Sequence, residues 1–382
     1  MQFLILSCNT GEGHNSAAKA VKEYIESRGD ICDIRDALSF WSENNSKLIS
    51  KGHVFIYRRL PKLFGIGYRF EEKHPPKEYD NSLMYDIVTK GCASLQRSLE
   101  ESKYDAVICT HVFASMMMTE LRLKNSFKMP TYFISTDYTC HPGTSESIVD
   151  RYFIAHPSLA DDYVRCGLPR EKLVASGIPI KEAFYTSHDK RQAKRLLRLP
   201  TDERVILMMC GSMGCGPLEE LTEDIPLMLP PKTRLVVICG NNRRLFKSLT
   251  KDDIPYNMTV VGYTTRMPLY MDAAELILTK PGGLSTTEAA NKHLPMIFID
   301  AVPGCETHNL NFFVSRNFAA ARSEVDELCR LVCDTIDRPD VLSKIKSALE
   351  SEFTSHSAEI IYNTICEDIA DANDRLQKIP TQ

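Results

Sequence analysis

Leu276-Ile277-Leu278-Thr279-Lys280-Pro281-Gly282-Gly283-Leu284-Ser285-Thr286-Thr287-Glu288-Ala289-Ala290 passes from an apolar run of strand length, through a Pro-Gly-Gly turn, into a helical pattern. An apolar strand that ends in glycine and opens a helix is the repeating unit of parallel sheets, because the helix returns the chain to start the next parallel strand. Ser285 or Thr286 is placed to cap this helix, and Glu288 falls on its first turn, beside the anion-attracting N-terminus. Glu288 can equally be half of a capping box with no ligand to hold.

The same grammar recurs outward from this stretch. In the first half the candidate strands are Phe3 to Ser7, Ile31 to Ile34, Tyr104 to Cys109, Thr131 to Thr136, Arg151 to Ala155 and Leu173 to Ser176. In the second they are Val205 to Cys210, Leu235 to Cys239, Met258 to Val261, Leu276 to Thr279 and Met296 to Ile299. Short apolar runs alternating with helical patterns predict an α/β fold, with parallel sheets covered on both faces. The Lys- and Arg-rich stretch from His188 to Asp202 reads as a connecting helix and linker, giving a domain over 1–187, a linker over 188–202 and a domain over 203–355. Ile360, Ile361, Ile365 and Ile369 make the last stretch, 356–382, an amphipathic helix able to fold back across the domain joint. Two α/β units in tandem predict a ligand cleft, since open parallel sheets bind beyond the carboxyl ends of their strands.

Composition narrows the function classes. Of 382 residues, 43% are hydrophobic and 25% charged, which excludes disordered, collagen-like and coiled-coil chains. The 46 basic and 50 acidic side chains nearly cancel to −4, so bulk charge gives no support for nucleic acid as a partner. The 13 cysteines show neither CxxC pairs nor a repeating framework; Cys329 and Cys333, one helical turn apart, read as small apolar residues, and no metal site is expected. The residues after Met1 run directly into a strand rather than a leader, and nowhere do about 18 uncharged apolar residues run together. The expectation is a cytoplasmic protein with reduced thiols that does not span a membrane.

Polar loops carry the candidate chemistry. Cys8-Asn9-Thr10-Gly11-Glu12-Gly13-His14-Asn15-Ser16 lies between a strand and a helix; it lacks the third glycine of a dinucleotide fingerprint, so a structural turn and a ligand loop stay open alternatives. His14 at a helix start is biased towards neutrality and can accept a proton. Gly211-Ser212-Met213-Gly214-Cys215-Gly216 can cradle phosphate with backbone donors, but without the Gly-Lys-Ser/Thr ending of a P-loop. Pro303-Gly304-Cys305-Glu306-Thr307-His308-Asn309 opens a further helix. Residues 47–76 break the alternation: Arg58, Arg59 and Lys62 are interleaved with aromatics including Phe55 and Phe64, as in a segment lying on an anionic membrane surface. The alternative is a buried helical hairpin with a solvated basic face.

Taken in order, Val260-Val261-Gly262-Tyr263, Met267, Ala273-Ala274, Thr279-Lys280-Pro281-Gly282-Gly283, Glu288-Ala289 and the 303–309 loop resemble the donor domain of family 28 glycosyltransferases. Gly11-Glu12-Gly13-His14, Ser135-Thr136-Asp137-Tyr138 with His141-Pro142, and Gly177-Ile178-Pro179-Ile180 resemble monogalactosyldiacylglycerol synthases and bacterial processive diacylglycerol glucosyltransferases. The likeness runs from Phe3 to about Phe353. It implies a GT-B fold, two Rossmann-like domains facing across a cleft, the first for acceptor and membrane and the second for the donor. It implies inverting transfer of glucose or galactose from a UDP-sugar to diacylglycerol or a related lipid, with no cofactor and no metal, by a protein peripheral to the inner face of the cell membrane.

Carried over by position, the resemblance puts Gly211, Ser212 and Gly214 at the diphosphate, Gly262 and Tyr263 beside uracil, Glu288 on the ribose hydroxyls, and Glu306 and Asn309 at the sugar. Gly282, Gly283, Ser285 and Thr286 join the same donor site. His14 and Asp137 stand in the acceptor-side motifs as candidate bases, with Gly13 and His141 beside them, and His14 has lipid-headgroup binding as its alternative role. Relatives place a tryptophan shortly after the His-Pro, where this chain has Gly143-Thr144-Ser145-Glu146. That departure keeps open a different lipid-linked or soluble acceptor, and beside it a non-enzymatic, membrane-associated UDP-sugar sensor. A nonhydrolysing UDP-sugar epimerase would share the general fold, but the Gly-Glu-Gly-His and Ser-Thr-Asp motifs argue against it.

Overall fold

The structure, a computed structural model, describes residues 1–9, 11–42, 83–125, 127–209, 217–251 and 253–377, with 44, 46, 52, 65–68 and 70. The chain divides into two compact units, Met1–Glu182 with Ser355–Gln382, and Ala183–Thr354. Each is built on one six-stranded sheet. In the first unit β1 (Gln2–Ser7), β2 (Ile31–Asp36), β3 (Ala106–Cys109), β4 (Thr131–Ile134), β5 (Arg151–Ile154) and β6 (Leu173–Ala175) lie in the order β2-β1-β3-β4-β5-β6. In the second, β7 (Arg204–Met209), β8 (Thr233–Ile238), β9 (Met258–Val261), β10 (Leu276–Thr279), β11 (Met296–Phe298) and β12 (Ala319–Ala321) lie in the order β12-β11-β10-β7-β8-β9. Every pairing is parallel.

The sheets form where the apolar runs predict them because Phe3, Leu4, Ile5 and Leu6 of β1, and Val205, Ile206, Leu207 and Met208 of β7, are buried at successive positions, as a strand covered on both faces requires. β12 is the strand that the apolar pattern does not announce: its Ala-Ala-Ala has no β preference, and it is held as an edge by pairing with β11. The core of the first unit joins Phe3 and Ile5 to Ala18, Val21 and Ile25 of the helix Glu12–Ser27. Ile361 and Ile365 of the last helix, Ser357–Gln377, belong to the same core, so the expected return of that helix occurs. The Arg151 guanidinium holds Asp368 through two hydrogen bonds of 3.0 and 2.8 Å, and the Tyr362 hydroxyl donates to Asp30 at 2.8 Å.

The stretch expected as a linker, 188–202, is built into the second unit. Its helix Lys190–Leu196 carries the buried Lys194, whose ammonium donates to the Glu203 carbonyl and pairs with Glu275 at 3.1 Å. The His188 backbone N–H donates to Asp272 at 3.1 Å, and Asp272 in turn pairs with Lys292 at 2.8 Å. A lysine-rich surface pattern cannot show that one of its ammonium groups is destined for a buried carboxylate. Among the described residues no helix is long and apolar enough to cross a membrane.

Gly177 opens the Gly-Ile-Pro-Ile stretch with φ +82°, and a Cβ there would lie 2.5 Å from the Ser357 hydroxyl oxygen. Glycine is required twice over, by the left-handed backbone and by the close approach of the returning helix. Gly177→Ala is expected to cost the fold about 1–3 kcal/mol. Thermal unfolding checks this, and an unchanged midpoint would show that the contact relaxes freely.

Candidate functional site

In the first unit the chain runs from β1 outwards to β2 and then returns to β3 on the other side of β1, so the loops after β1 and β3 diverge at a topological switch point. The loop after β1 is tied by its own polar residues: Ser7 Oγ donates to Asn15 Oδ1 at 2.7 Å, Asn15 Nδ2 to Asn9 Oδ1 at 3.0 Å, and Asn9 Nδ2 to Asp36 at 2.9 Å. Asn9 and Asn15 are therefore structural. His14 lies in the first turn of the helix Glu12–Ser27, beside Gly13, and crosses to the neighbouring loop: its Nδ1 is 2.8 Å from the Thr110 carbonyl oxygen and 3.0 Å from Thr136 Oγ1. A carbonyl only accepts, so Nδ1 carries a proton, and in the neutral ring the lone pair is on Nε2.

Three other histidines stand beyond the carboxyl ends of this sheet with the opposite tautomer. His111 Nδ1 accepts from Phe113 N–H at 3.1 Å, His141 Nδ1 from Gly143 N–H at 3.2 Å, and His156 Nδ1 from Ser158 N–H at 3.2 Å, placing the ring proton of each on Nε2. In the neutral state His14 alone of the four therefore has its accepting nitrogen at Nε2. His111, which sequence reading passed over, sets its ring edge to face on His14 with centroids 4.4 Å apart. The available signal was a polar Thr110-His111 pair directly after an apolar strand. Asp137 follows Thr136, the residue that touches His14, so the two candidate bases are brought into one region. The turn bearing Asp137 is held from behind: Ser135 Oγ donates to the Asp137 carbonyl, and Tyr163 donates to Ser135 Oγ at 2.7 Å. Burial pushes the Tyr163 phenol well up, so it remains a donor. The His141 ring meets Tyr68 edge to face at 5.6 Å.

In the second unit the corresponding switch point lies between β7 and β10. Gly211, Ser212 and Gly214, which follow β7, lie outside the described residues, as do Phe55, Arg58, Arg59, Lys62 and Phe64. The helix after β10 is Gly283–Asn291, with Gly282 at its N-cap and no side-chain cap. Two expectations are corrected here. Thr286 is buried inside the helix and donates back to the carbonyls of Gly282 and Gly283, and Ser285 is likewise inside, so neither caps. Glu288 stands on the second turn rather than the first, too far along for a capping box, which leaves its side chain without that structural task. Gly282, Ser285 and Glu288, spaced by three, are half-buried, whereas Leu284, Thr286, Thr287, Ala289 and Ala290 are buried. The helix thus presents Ser285 and Glu288 on one accessible face.

The loop after β11 leads into the helix Cys305–Ser315 through Gly304, whose φ of +120° only glycine adopts readily. Glu306 Oε2 accepts from Val302 N–H at 2.8 Å and lies 3.3 Å from Lys280 Nζ. Asn309, expected at the sugar, is fully buried: its Nδ2 donates to the Pro281 carbonyl at 2.9 Å, so it braces the Pro-Gly-Gly turn from beneath instead of facing outwards. Gly262 and Tyr263 follow edge strand β9, with Tyr263 70% exposed.

Residues 14–180 match the family model described as monogalactosyldiacylglycerol (MGDG) synthase, and residues 205–309 match that of the glycosyltransferase family 28 C-terminal domain. The chain belongs to the family 28 glycosyltransferases. It is 27% identical over 379 residues to a processive diacylglycerol beta-glucosyltransferase of Bacillus pumilus, covering 98% of this chain and 95% of that one. It is 29% identical over 283 residues to the protein of that name from Staphylococcus saprophyticus, covering 73% and 70%. Among solved structures, MurG of Acinetobacter baumannii superposes with a TM-score of 0.63 at 16% identity over 96% of this chain and 99% of its own. MnaA of S. aureus with UDP gives 0.63 at 13% over 96% of each. The fold of this glycosyltransferase is GT-B, as the resemblance implied.

Glu288 and Asn309 of the glycosyltransferase should separate in mutation. Asn309→Ala leaves the Pro281 carbonyl without its buried donor, an expected loss of about 1–3 kcal/mol in unfolding, together with weaker UDP binding. Glu288→Ala should leave the fold intact and lower UDP affinity about tenfold or more. Calorimetry and thermal melts check both; unchanged UDP affinity in Glu288→Ala would remove that residue from the site.

Proposed function

We propose that this glycosyltransferase moves a hexose from UDP-glucose or UDP-galactose, with inversion and without a metal, to a hydroxyl of diacylglycerol or a related lipid. The observation that carries the reading is the 2.8 Å hydrogen bond from His14 Nδ1 to the Thr110 carbonyl, because it leaves on Nε2 the lone pair that a poor hydroxyl nucleophile needs. In the reaction the acceptor oxygen forms its bond to the anomeric carbon while the bond from that carbon to the diphosphate oxygen breaks. The electron pair departs with UDP, and the acceptor proton passes to His14 Nε2 or to the Asp137 carboxylate. Negative charge grows on the diphosphate, which the backbone N–H groups of Gly211, Ser212 and Gly214 and of the Gly282-Gly283 helix start are suited to receive. Glu288 and Ser285 take the ribose side, Gly262 and Tyr263 the uracil side, and Glu306 the hexose. The name of the relatives favours glucose and a diacylglycerol acceptor.

A lipid acceptor calls for contact with a bilayer, and we place it at the basic aromatic segment on the inner face of the cell membrane. Residues 65–68 and 70 support the assignment: Tyr68 is buried against His141, while Ile66 and Phe70, one helical turn apart, are 59% and 63% exposed. Apolar side chains that face water next to an acceptor-side histidine are suited to a headgroup boundary.

UDP release measured with and without diacylglycerol vesicles tests the activity. Release dependent on vesicles is expected; release without lipid that rises on adding a soluble hydroxyl compound would indicate a soluble acceptor, and UDP-glucose binding without turnover would indicate a sensor. His14→Ala and Asp137→Ala should each lower turnover about a hundredfold with UDP affinity kept. If His14→Ala retains its maximal rate and loses only stimulation by anionic lipid, His14 is a headgroup ligand and Asp137 the base. Replacing Arg58, Arg59 and Lys62 with serine should weaken binding to anionic vesicles by about 1 kcal/mol per cation, and equal binding at low salt would assign the segment to packing.

A further inference from the structure

We infer that Lys280 is a positioning residue for the hexose of the donor, acting through Glu306. It directly follows β10 and precedes Pro281, and β10 pairs with β11, so the loops after these two strands are neighbours. Two links join them. Lys280 Nζ lies 3.3 Å from Glu306 Oε2, and one turn further along the same helix Asn309 Nδ2 donates to the Pro281 carbonyl at 2.9 Å. The ion pair is withdrawn from water, with side-chain exposures of 7% for Lys280 and 14% for Glu306.

Burying two charges is costly, and an apolar pair could join two loops at least as cheaply, so the pair is poor value as a structural staple. What it does accomplish is directional. Glu306 Oε2 accepts from the Val302 N–H and faces the Lys280 ammonium, and a hydrogen bond and an ion pair on one oxygen restrict the turning of the carboxyl group. A carboxylate accepts only, and sugar hydroxyls donate to it; a carboxylate held in one plane distinguishes a hydroxyl on one side of the ring carbon from the same hydroxyl on the other. Without Lys280 the carboxyl group turns, and hydroxyl recognition suffers while the nucleotide is held as before. The inference rests on the proposed reading in which Glu306 meets the hexose of a UDP-sugar.

Calorimetric titration of UDP and of UDP-glucose separates the possibilities. Lys280→Met is expected to lose about tenfold in affinity for UDP-glucose, the worth of one hydrogen bond to a charged group, with UDP affinity within about twofold of the parent. Glu306→Gln should show the same split, the double variant should lose no more than either single one, and Lys280→Arg should recover much of the loss. If Lys280→Met does not fold because Glu306 loses its counter-charge, Glu306→Gln alone and the double variant with its neutral amide carry the comparison. Equal losses for UDP and UDP-glucose would put Lys280 on the diphosphate and overturn the inference, as would additive losses in the double variant. A parent protein that binds UDP-glucose no better than UDP, or binds neither, would overturn the hexose role of Glu306 itself and the inference with it.

Discussion

Because every strand in both sheets runs the same way, all the loops that leave their carboxyl ends emerge on one edge of each unit. Parallel order is the constraint on which everything else in the molecule depends. It brings the first-turn histidine after β1 against the Thr110 carbonyl after β3, residues that are far apart in the chain. It sets the loop after β10 beside the loop after β11, where Lys280, Glu306, Pro281 and Asn309 meet. Helices returning on the faces of the sheets supply the apolar burial that stabilises this order, and the last helix closes the first unit with Ile361 and Ile365.

Hydrogen bonds between neighbouring polar groups hold the loops that carry the candidate site residues. Asn9, Asn15 and Asp36 tie the loop before His14, Tyr163 and Ser135 tie the turn before Asp137, and Asn309 ties the turn before Ser285 and Glu288. The braces made by Tyr163 and Asn309 are hydrogen bonds whose loss would orphan a buried partner, so those two turns are costly to rearrange. Preorganisation of this kind matters to group transfer, since donors and bases aimed in advance need not be reordered as charge develops.

Histidine tautomers show how fine the control is. His14, His111, His141 and His156 have the same side chain at the same edge of one sheet, yet a carbonyl facing Nδ1 makes His14 an acceptor at Nε2, and backbone N–H groups facing Nδ1 make the other three donors there. A difference of one backbone atom thus separates a ring that can accept a proton at Nε2 in the neutral state from three that cannot.

The sequence by itself determined the α/β class, eleven of the strands, the returning amphipathic helix and the loops that hold the candidate site, because apolar periodicity and glycine turns are local properties that follow directly from burial and backbone freedom. Together with its ordered motifs it also carried the family. It did not reveal β12, whose alanines become a strand only by pairing with β11, nor that the 188–202 stretch is anchored by the buried Lys194. Only the tertiary structure decided that Glu288 is beyond capping distance, that Asn309 points inwards, and that His14 carries its lone pair on Nε2. The reason is common to all three: the role of a polar side chain depends on which donor or acceptor faces it, and that partner comes from a distant part of the chain or from a helix boundary that propensity alone does not place.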